Sequence, residues 1–354
     1  MPSVISAGCD AGTNGASPDA QEGRPHVVQM TAADVRGIYA ILATPARRGI
    51  SLIGDGDTVD YDEARRSVRN LLEQGVDAIM TNGTFGEAGS LTDQELFDFV
   101  ECVVETVDGA VPVFAGATTL NTRETIRRGR ELVRRGATGL FLGRPMWCAM
   151  DDDMIVGFYQ DLADALPGVP FIVYDNPEAF KGKLSTSVYA RLAEIPNVIA
   201  VKYAGFSTQY LSDLDACRGR ITIMLVEGFW YYGRRWAGSL APAVWSGSAN
   251  CGVAPLRELK DAIESGDDER ALAVTTEIRH ANKPLFPGGS FEAFATYNVS
   301  LEKARFAAAG LTDPGPARPP YDRTPETYLE GAREAGRRWA ALQQKYTPSI
   351  TEGH

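Results

Sequence analysis

The chain has 354 residues, of which 44% are hydrophobic and 23% are charged, and its formal net charge is -11 at pH 7. A chain of this length and composition can bury a large core, which excludes disordered, collagen-like and disulfide-scaffold proteins. The negative charge repels nucleic acids and anionic membrane surfaces, so we expect small-molecule partners, no nucleic acid and no membrane. Neither an apolar run of ~20 residues nor a signal-peptide pattern occurs, so we expect a cytoplasmic protein.

Cysteine and histidine are too sparse for much metal and triad chemistry. The five cysteines contain no Cys-x-x-Cys pair, which favours reduced thiols over a disulfide framework or a zinc site. Of the three histidines, His26 and His354 lie in predicted tails. A His-rich zinc site or a Ser-His-Asp triad is therefore hard to assemble, and we expect no metal.

The chain begins with a segment that has no apolar periodicity. Residues 1–36 are rich in Gly, Ala, Ser, Asp and Pro, which predicts a flexible extension. From residue 37 onward, short aliphatic runs alternate with amphipathic stretches, as is typical of repeated βα units. One helix is predicted to begin at Asp60 and to end at Gly75. Another is predicted to begin at Thr92, because Thr92 and Glu95 have the spacing of a capping box.

Eight short apolar runs have the length and composition of buried strands. They lie at residues 38–42, 78–80, 111–114, 140–142, 171–173, 198–201, 221–225 and 243–244. Eight βα units predict an α/β fold of the TIM (β/α)8 barrel type over residues 37–254. A doubly wound sheet is the main alternative, but no Gly-x-Gly-x-x-Gly follows the first strand. Helical patterns at 292–310 and 325–345 predict that residues 255–354 form C-terminal helices packed on the barrel.

Active sites of parallel barrels lie at the carboxyl ends of the strands. The sixth strand ends at Lys202 after four apolar residues, where desolvation would favour the neutral amine that a Schiff-base nucleophile needs. The alternative is a lysine that extends into solvent. The second strand leads into the turn 81–87, whose glycines and threonines suit a carboxylate or phosphate cradle. A plain βα turn has the same composition.

Two further strand ends provide aromatic side chains. The fifth strand ends at Tyr174, followed by Asp175, Asn176 and Pro177, so a phenol is expected at the rim beside two polar side chains. The eighth strand leads into Trp245, which would supply an aromatic wall. For both residues the alternative is ordinary packing in the core.

Together these strand ends resemble the class I aldolase superfamily that contains dihydrodipicolinate synthase and N-acetylneuraminate lyase. The matching motifs are Leu42-Ala43-Thr44-Pro45, Gly83-Thr84-Phe85-Gly86-Glu87, Tyr174-Asp175-Asn176-Pro177 and Val201-Lys202. Within that superfamily the chain is similar to the bacterial hydratase-aldolases of polycyclic aromatic breakdown. The stretches that carry this second resemblance are 84–87, 145–147, 176–181, 297–305 and 318–321.

Two positions depart from the pattern of the lysine-pathway synthase. Ala179 stands where that enzyme has an arginine for a second carboxylate, and Trp147 stands where it has a relay tyrosine. A doubly anionic substrate thereby loses its anchor. Trp147 and Trp245 instead offer surface on which a planar ring can stack.

The resemblance implies roles for particular residues. Lys202 would form the Schiff base, and Tyr174 would shuttle protons. The implied substrate-binding residues are Gly83, Thr84, Phe85, Trp147, Asn176, Trp245 and Asn298. Thr84 and the Phe85 N–H would hold the carboxylate. Asn176, with Asn298 as the second candidate, would hydrogen-bond the incoming water or the new hydroxyl.

The implied reaction cleaves a substituted trans-benzylidenepyruvate, ortho-hydroxy or ortho-carboxy, to an aromatic aldehyde and pyruvate, with no cofactor. A keto-sugar acid substrate and a non-catalytic barrel that binds a keto acid as a regulator remain alternatives. An arginine that faces the ring is expected first in segment 229–235. The resemblance also implies a homo-oligomer, a tetramer.

Overall fold

The computed structural model describes residues 30–348 as a closed barrel of eight parallel strands surrounded by helices. The strands are β1 (Gly37–Ile41), β2 (Ala78–Met80), β3 (Val113–Gly116), β4 (Gly139–Leu142), β5 (Phe171–Tyr174), β6 (Val198–Lys202), β7 (Thr222–Val226) and β8 (Ala243–Ser246). The predicted TIM barrel is confirmed. The doubly wound alternative is excluded because β1 pairs with β8, with Gly37 opposite Ala243 and Ala40 opposite Ser246.

Helices follow the strands in regular alternation and continue after β8. Their bounds are α1 (Tyr61–Glu73), α2 (Asp93–Val107), α3 (Thr122–Arg134), α4 (Asp152–Ala165), α5 (Thr186–Leu192), α6 (Thr208–Cys217), α7 (Trp230–Ala237), α8 (Ala254–Glu264), α9 (Asp268–Asn282), α10 (Phe291–Thr296), α11 (Asn298–Ala309) and α12 (Glu326–Tyr346). Asp60 caps α1 by accepting a hydrogen bond from the Glu63 N–H. Thr92 and Glu95 form the predicted capping box of α2.

The predicted extension at the N-terminus is only partly covered by the described residues. Residues 1–29 lie outside them. Ala32–Asp34 form a short 3-10 turn, and the Thr222 hydroxyl at the start of β7 donates to the Ala32 carbonyl oxygen at 2.9 Å. Within residues 30–348, no helix combines the length and the apolar character needed to cross a bilayer.

The C-terminal helices differ from the sequence prediction in one respect. The pattern at 292–310 predicts one helix, but the structure has two, because Tyr297 leaves the helical region with φ -111° and ψ 18°. A second helix, α11, begins at the next residue and packs against α12. The two backbones approach so closely that a Cβ at Gly336 would lie 2.2 Å from the Arg305 carbonyl oxygen.

The long helix α12 is anchored to the barrel by a buried tryptophan. Trp339 is fully buried, and its indole N–H donates to the Gly252 carbonyl oxygen at 2.9 Å. Gly252 follows β8 and precedes α8, so this contact ties the last helix to the end of the barrel.

Trp339→Ala tests how far the docking of α12 stabilises the barrel. Removing a buried tryptophan leaves a cavity, so we expect the free energy of unfolding to fall by about 3–5 kcal/mol. Urea denaturation followed by circular dichroism measures this loss. The matched control is Trp236→Ala, because the Trp236 side chain is 69% exposed. That change should stay within about 0.5 kcal/mol of wild type, and equal losses in both variants would contradict the role of Trp339.

Candidate active site

The Lys202 amine lies between two aromatic rings at the mouth of the barrel. Lys202 is the last residue of β6 and only 7% exposed. Its Nζ lies 4.5 Å from the ring centroid of Tyr174 and 3.9 Å from that of Trp245. Within residues 30–348 Lys202 forms no salt bridge with a carboxylate. Both rings lie within the distance of a cation–π contact with Nζ.

Strand register explains why these three side chains meet. Tyr174 ends β5 and stands directly opposite Lys202 in the parallel ladder. Trp245 lies on β8, and its indole N–H donates to the carbonyl oxygen of Tyr203 at 2.8 Å. Because Tyr203 follows Lys202 in the chain, this bond fixes the indole ring beside the amine.

The Tyr174 hydroxyl is held by two polar side chains. It lies 2.7 Å from the Thr84 hydroxyl and accepts a hydrogen bond from the Asn176 amide at 3.2 Å. Its ring is stacked on Phe141 at a centroid distance of 4.5 Å and meets the edge of Phe180 at 5.3 Å. Packing on two sides and hydrogen bonds at the tip leave the phenol with one orientation.

These surroundings lower the pKa of Tyr174. Burial works to raise the pKa, but the positive charge of Lys202 and the hydrogen bonds from Thr84 and Asn176 outweigh it. The pKa of the phenol therefore falls below its ordinary value of 10.0. A lowered pKa brings the phenol nearer to the working pH, where general acid–base catalysis is most efficient.

The turn after β2 has the shape of an anion cradle. A Cβ at Gly86 would lie 2.9 Å from the backbone nitrogens of Asn82 and Gly83, so only glycine fits there. The Thr44 hydroxyl donates to the Gly86 carbonyl oxygen at 2.7 Å. Among residues 30–348, no backbone carbonyl accepts the Phe85 N–H. This N–H is therefore available to a carboxylate, whereas the Thr84 hydroxyl beside it is hydrogen-bonded to Tyr174.

Two further predicted binding residues, Asn298 and Trp147, differ in their exposure to solvent. Asn298 begins α11, is half-buried, and its buried Oδ1 has no partner within the described part of the chain. Trp147 is 76% exposed, and its carbonyl oxygen accepts a hydrogen bond from the Lys181 ammonium at 2.6 Å. The structure thus brings Lys202, Tyr174 and Trp245 together and leaves Trp147 open to solvent in this chain.

The two arginines of segment 229–235 are engaged with other partners. Arg235 forms a salt bridge with Asp268 at 2.7 Å, and Arg234 donates to the Gly238 carbonyl oxygen at 2.9 Å. Neither partner belongs to the cluster around Lys202. The expectation that this segment supplies an arginine for the ring is therefore not supported by these contacts.

Comparison with known proteins places the chain in a family. The model of the dihydrodipicolinate synthetase family matches residues 37–334. The chain belongs to this family. The resemblance expected from the strand ends is thereby confirmed.

Individual members of the family show high similarity over nearly the whole chain. The chain is 44% identical over 326 residues to trans-2'-carboxybenzalpyruvate hydratase-aldolase of Nocardioides sp. (strain KP7), covering 91% of this chain and 98% of that protein. It is 44% identical over 317 residues to trans-O-hydroxybenzylidenepyruvate hydratase-aldolase of Sphingobium xenophagum, covering 88% and 96%. A solved structure, PhdJ bound to substrate intermediate, has 47% sequence identity and a TM-score of 0.89, and it covers 90% of this chain and 99% of that one.

Sequence reasoning missed a set of buried charges around the family motifs. Glu87, the last residue of the cradle motif, lies against Lys303 and Arg318. Asp175 accepts a hydrogen bond from the Tyr189 hydroxyl at 2.6 Å, behind Tyr174 rather than at the mouth. Lys303 and Arg318 fall in stretches that carry the family resemblance, but a motif alone does not reveal a partner more than 200 residues away.

Thr84→Val tests the control of the Tyr174 phenol. The substitution keeps the side-chain volume but removes a hydrogen bond that lowers the pKa of Tyr174, so we expect that pKa to rise. Ultraviolet difference titration of tyrosinate, with Tyr174→Phe as the blank, measures the change. Thr81→Val is the matched control, because the buried Thr81 hydroxyl has no hydrogen-bond partner among residues 30–348. An unchanged or lower pKa in Thr84→Val would refute the assignment.

Proposed function

We propose that the protein is a hydratase-aldolase that cleaves a substituted trans-benzylidenepyruvate to an aromatic aldehyde and pyruvate through a Schiff base on Lys202. The observation that supports this most is the buried Lys202 amine, which lies between two aromatic rings and forms no salt bridge within the described residues. The hydratase-aldolases that are 44% identical to the chain support the same substrate class.

The first step joins the substrate to the enzyme. The neutral amine of Lys202 attacks the ketone carbon, and loss of water gives a protonated imine, an iminium. The Thr84 hydroxyl and the Phe85 N–H hold the adjacent carboxylate, which fixes the ketone against the amine. The iminium withdraws electrons from the conjugated double bond, so the alkene carbon that bears the ring becomes electrophilic.

Hydration and cleavage then use the same iminium twice. Water adds to the carbon that bears the ring, and the resulting enamine takes a proton on the neighbouring carbon to restore the iminium. The amides of Asn176 and Asn298 bind the incoming water or the new hydroxyl. Tyr174 removes the hydroxyl proton, the carbon–carbon bond breaks, and its electrons enter the iminium to form an enamine. The aldehyde leaves, the enamine is protonated, and hydrolysis releases pyruvate and Lys202.

The aromatic lining favours a planar substrate over a sugar acid. Trp245, Phe141 and Phe180 surround Lys202 and Tyr174, and their rings supply few hydrogen bonds for the hydroxyl groups of a sugar. Trp245 offers a flat surface beside the amine, and Trp147 supplies a second one at the mouth. We further propose a cytoplasmic homotetramer, as the family resemblance implies, and native mass measurement tests the oligomeric state.

Borohydride reduction in the presence of pyruvate tests the nucleophile. Reduction traps the imine, so peptide mass mapping should place one pyruvate-derived adduct on Lys202, and Lys202→Met should abolish it. Lys183→Met is the matched control, because the Lys183 Nζ also lies over a tyrosine ring, 4.6 Å from the centroid of Tyr203, yet belongs to no proposed step. An adduct on another lysine, or none in wild type, would reject the mechanism.

Steady-state turnover tests the substrate class. We expect the wild-type enzyme to release pyruvate from ortho-hydroxy or ortho-carboxy benzylidenepyruvate, because the aromatic walls accept a flat ring. A keto-deoxy sugar acid at the same concentration should be turned over at least 100-fold more slowly, since its hydroxyl groups would be left without partners. Preference for the sugar acid would favour the aldolase branch that acts on sugars. Binding without turnover of either class would favour a regulatory barrel.

A further inference from the structure

A buried ion cluster lies behind the carboxylate cradle, and the proposed mechanism does not use it. We call Glu87, Lys303 and Arg318 the Glu87 cluster. The Lys303 ammonium and the Arg318 guanidinium both lie 2.5 Å from Oε2 of Glu87, and all three side chains are buried. Two cations thus face one carboxylate, and the cluster has an excess of positive charge.

The other contacts of the cluster indicate that Lys303, rather than Arg318, carries the positive charge that is not balanced by a second carboxylate. The Arg318 guanidinium also donates to the Pro45 carbonyl oxygen at 3.1 Å and to the Thr58 hydroxyl at 2.8 Å. That hydroxyl in turn donates to Glu95, so a second carboxylate lies beyond Arg318. Lys303, by contrast, contacts just one further polar partner in the described part of the chain besides Glu87, the neutral Pro316 carbonyl oxygen at 2.9 Å.

Glu87 connects this charge to the cradle. It has a left-handed backbone with φ 56°, a conformation that is uncommon for a residue other than glycine. Its N–H donates to the Thr84 carbonyl oxygen at 3.0 Å, and its Oε1 accepts from the Arg318 N–H at 2.6 Å. The same turn is therefore held by the ion cluster through Glu87 and by Tyr174 through the Thr84 hydroxyl.

We propose that Lys303 is a positioning residue for the substrate carboxylate: through Glu87 it holds the 83–87 turn, and its buried ammonium attracts the carboxylate that the turn binds. In the proposed mechanism the carboxylate is bound by the Thr84 hydroxyl and the Phe85 N–H, and neither group carries a charge. A buried charge is screened less by salt and water than a charge at the surface. The Lys303 ammonium can therefore attract an anion in the cradle without touching it. The inference rests on the proposed Schiff-base chemistry at Lys202.

The positive charge of Lys303 depends on pH. Burial lowers the pKa of Lys303 to about 8, and the charges of Arg318 and Arg48 act in the same direction, whereas Glu87 opposes them. Arg48 lies after β1 and is itself paired with Asp313 at 2.6 Å. The ammonium is present below pH 8 and is lost as the pH rises through that value. Carboxylate binding should weaken over the same range.

The experiment compares pyruvate with methyl pyruvate, which is uncharged where pyruvate has its carboxylate. The readout is the concentration of each ketone that gives half-maximal borohydride trapping on Lys202. In Lys303→Met we expect this concentration to rise roughly tenfold for pyruvate, because one positive charge behind the cradle is lost in a partly screened setting. It should stay unchanged for methyl pyruvate. Glu87 keeps Arg318 as a partner in this variant, so the carboxylate is not left unpaired.

Two further variants and one pH series complete the test. Lys303→Arg keeps the charge and should restore pyruvate binding. Lys260→Met is the matched control, because it removes a lysine that lies 3.3 Å from Asp77 at the opposite end of the barrel, and it should change neither value. In wild type, the half-maximal concentration of pyruvate should rise as the pH passes about 8, while Lys303→Arg should show no such rise.

The outcomes separate this inference from the proposed function. Wild type without an adduct for either ketone would overturn the Schiff-base mechanism itself. Wild type with adducts for both, together with a Lys303→Met variant in which pyruvate binding is unchanged, would overturn the role of Lys303 alone. An equal loss for pyruvate and methyl pyruvate would also overturn it, because the charge of the ketone would then make no difference to its binding. If Lys303→Met does not fold, the wild-type pH series tests the role of Lys303. A half-maximal concentration of pyruvate that does not rise as the pH passes about 8 would overturn that role.

Discussion

The arrangement of side chains at the barrel mouth depends on one constraint: the Lys202 amine is buried and, within the described residues, forms no salt bridge with a carboxylate. An unpaired buried charge is strongly unfavourable, whereas a salt bridge to a carboxylate would tie up the Lys202 amine. The rings of Tyr174 and Trp245 provide a third arrangement, in which two aromatic faces contact the amine in place of a carboxylate. The neighbouring contacts follow from this choice. Trp245 is fixed through the Tyr203 carbonyl oxygen, and Tyr174 is fixed through Thr84 and Asn176.

Helix α11 and the segment between α11 and α12 supply cations to the same end of the barrel. Lys303 and Arg318 reach Glu87, and Arg305 forms a buried salt bridge with Glu302 at 2.6 Å. Arg305 also donates to the Ser248 hydroxyl, just after β8, at 2.9 Å. Burial raises the pKa of Glu302, while the charge of Arg305 opposes that rise. These contacts give a physical reason for the family resemblance at 297–305 and 318–321, where the sequence alone shows a motif without a role.

The sequence predicted the features that depend on neighbours along the chain. Strand ends at Tyr174 and Lys202 and the cap at Thr92 follow from apolar runs and from the spacing of polar residues, and the structure has them. The break at Tyr297 was not predicted, since the apolar period continues through it. The bond from Arg318 to Glu87 spans 231 residues, and no local pattern encodes such a distance. Nor does composition reveal whether a tryptophan such as Trp147 is buried.

The contact between Glu87 and Arg318 has a consequence for the order in which the protein matures on the ribosome. The cradle turn is translated early, whereas its arginine emerges only after all eight strands have been made. Until then the Glu87 carboxylate lacks this counterion, and one of the contacts that hold its left-handed backbone is missing. The contacts that hold the turn around Glu87 can therefore be completed only after residues as far as Arg318 have been made.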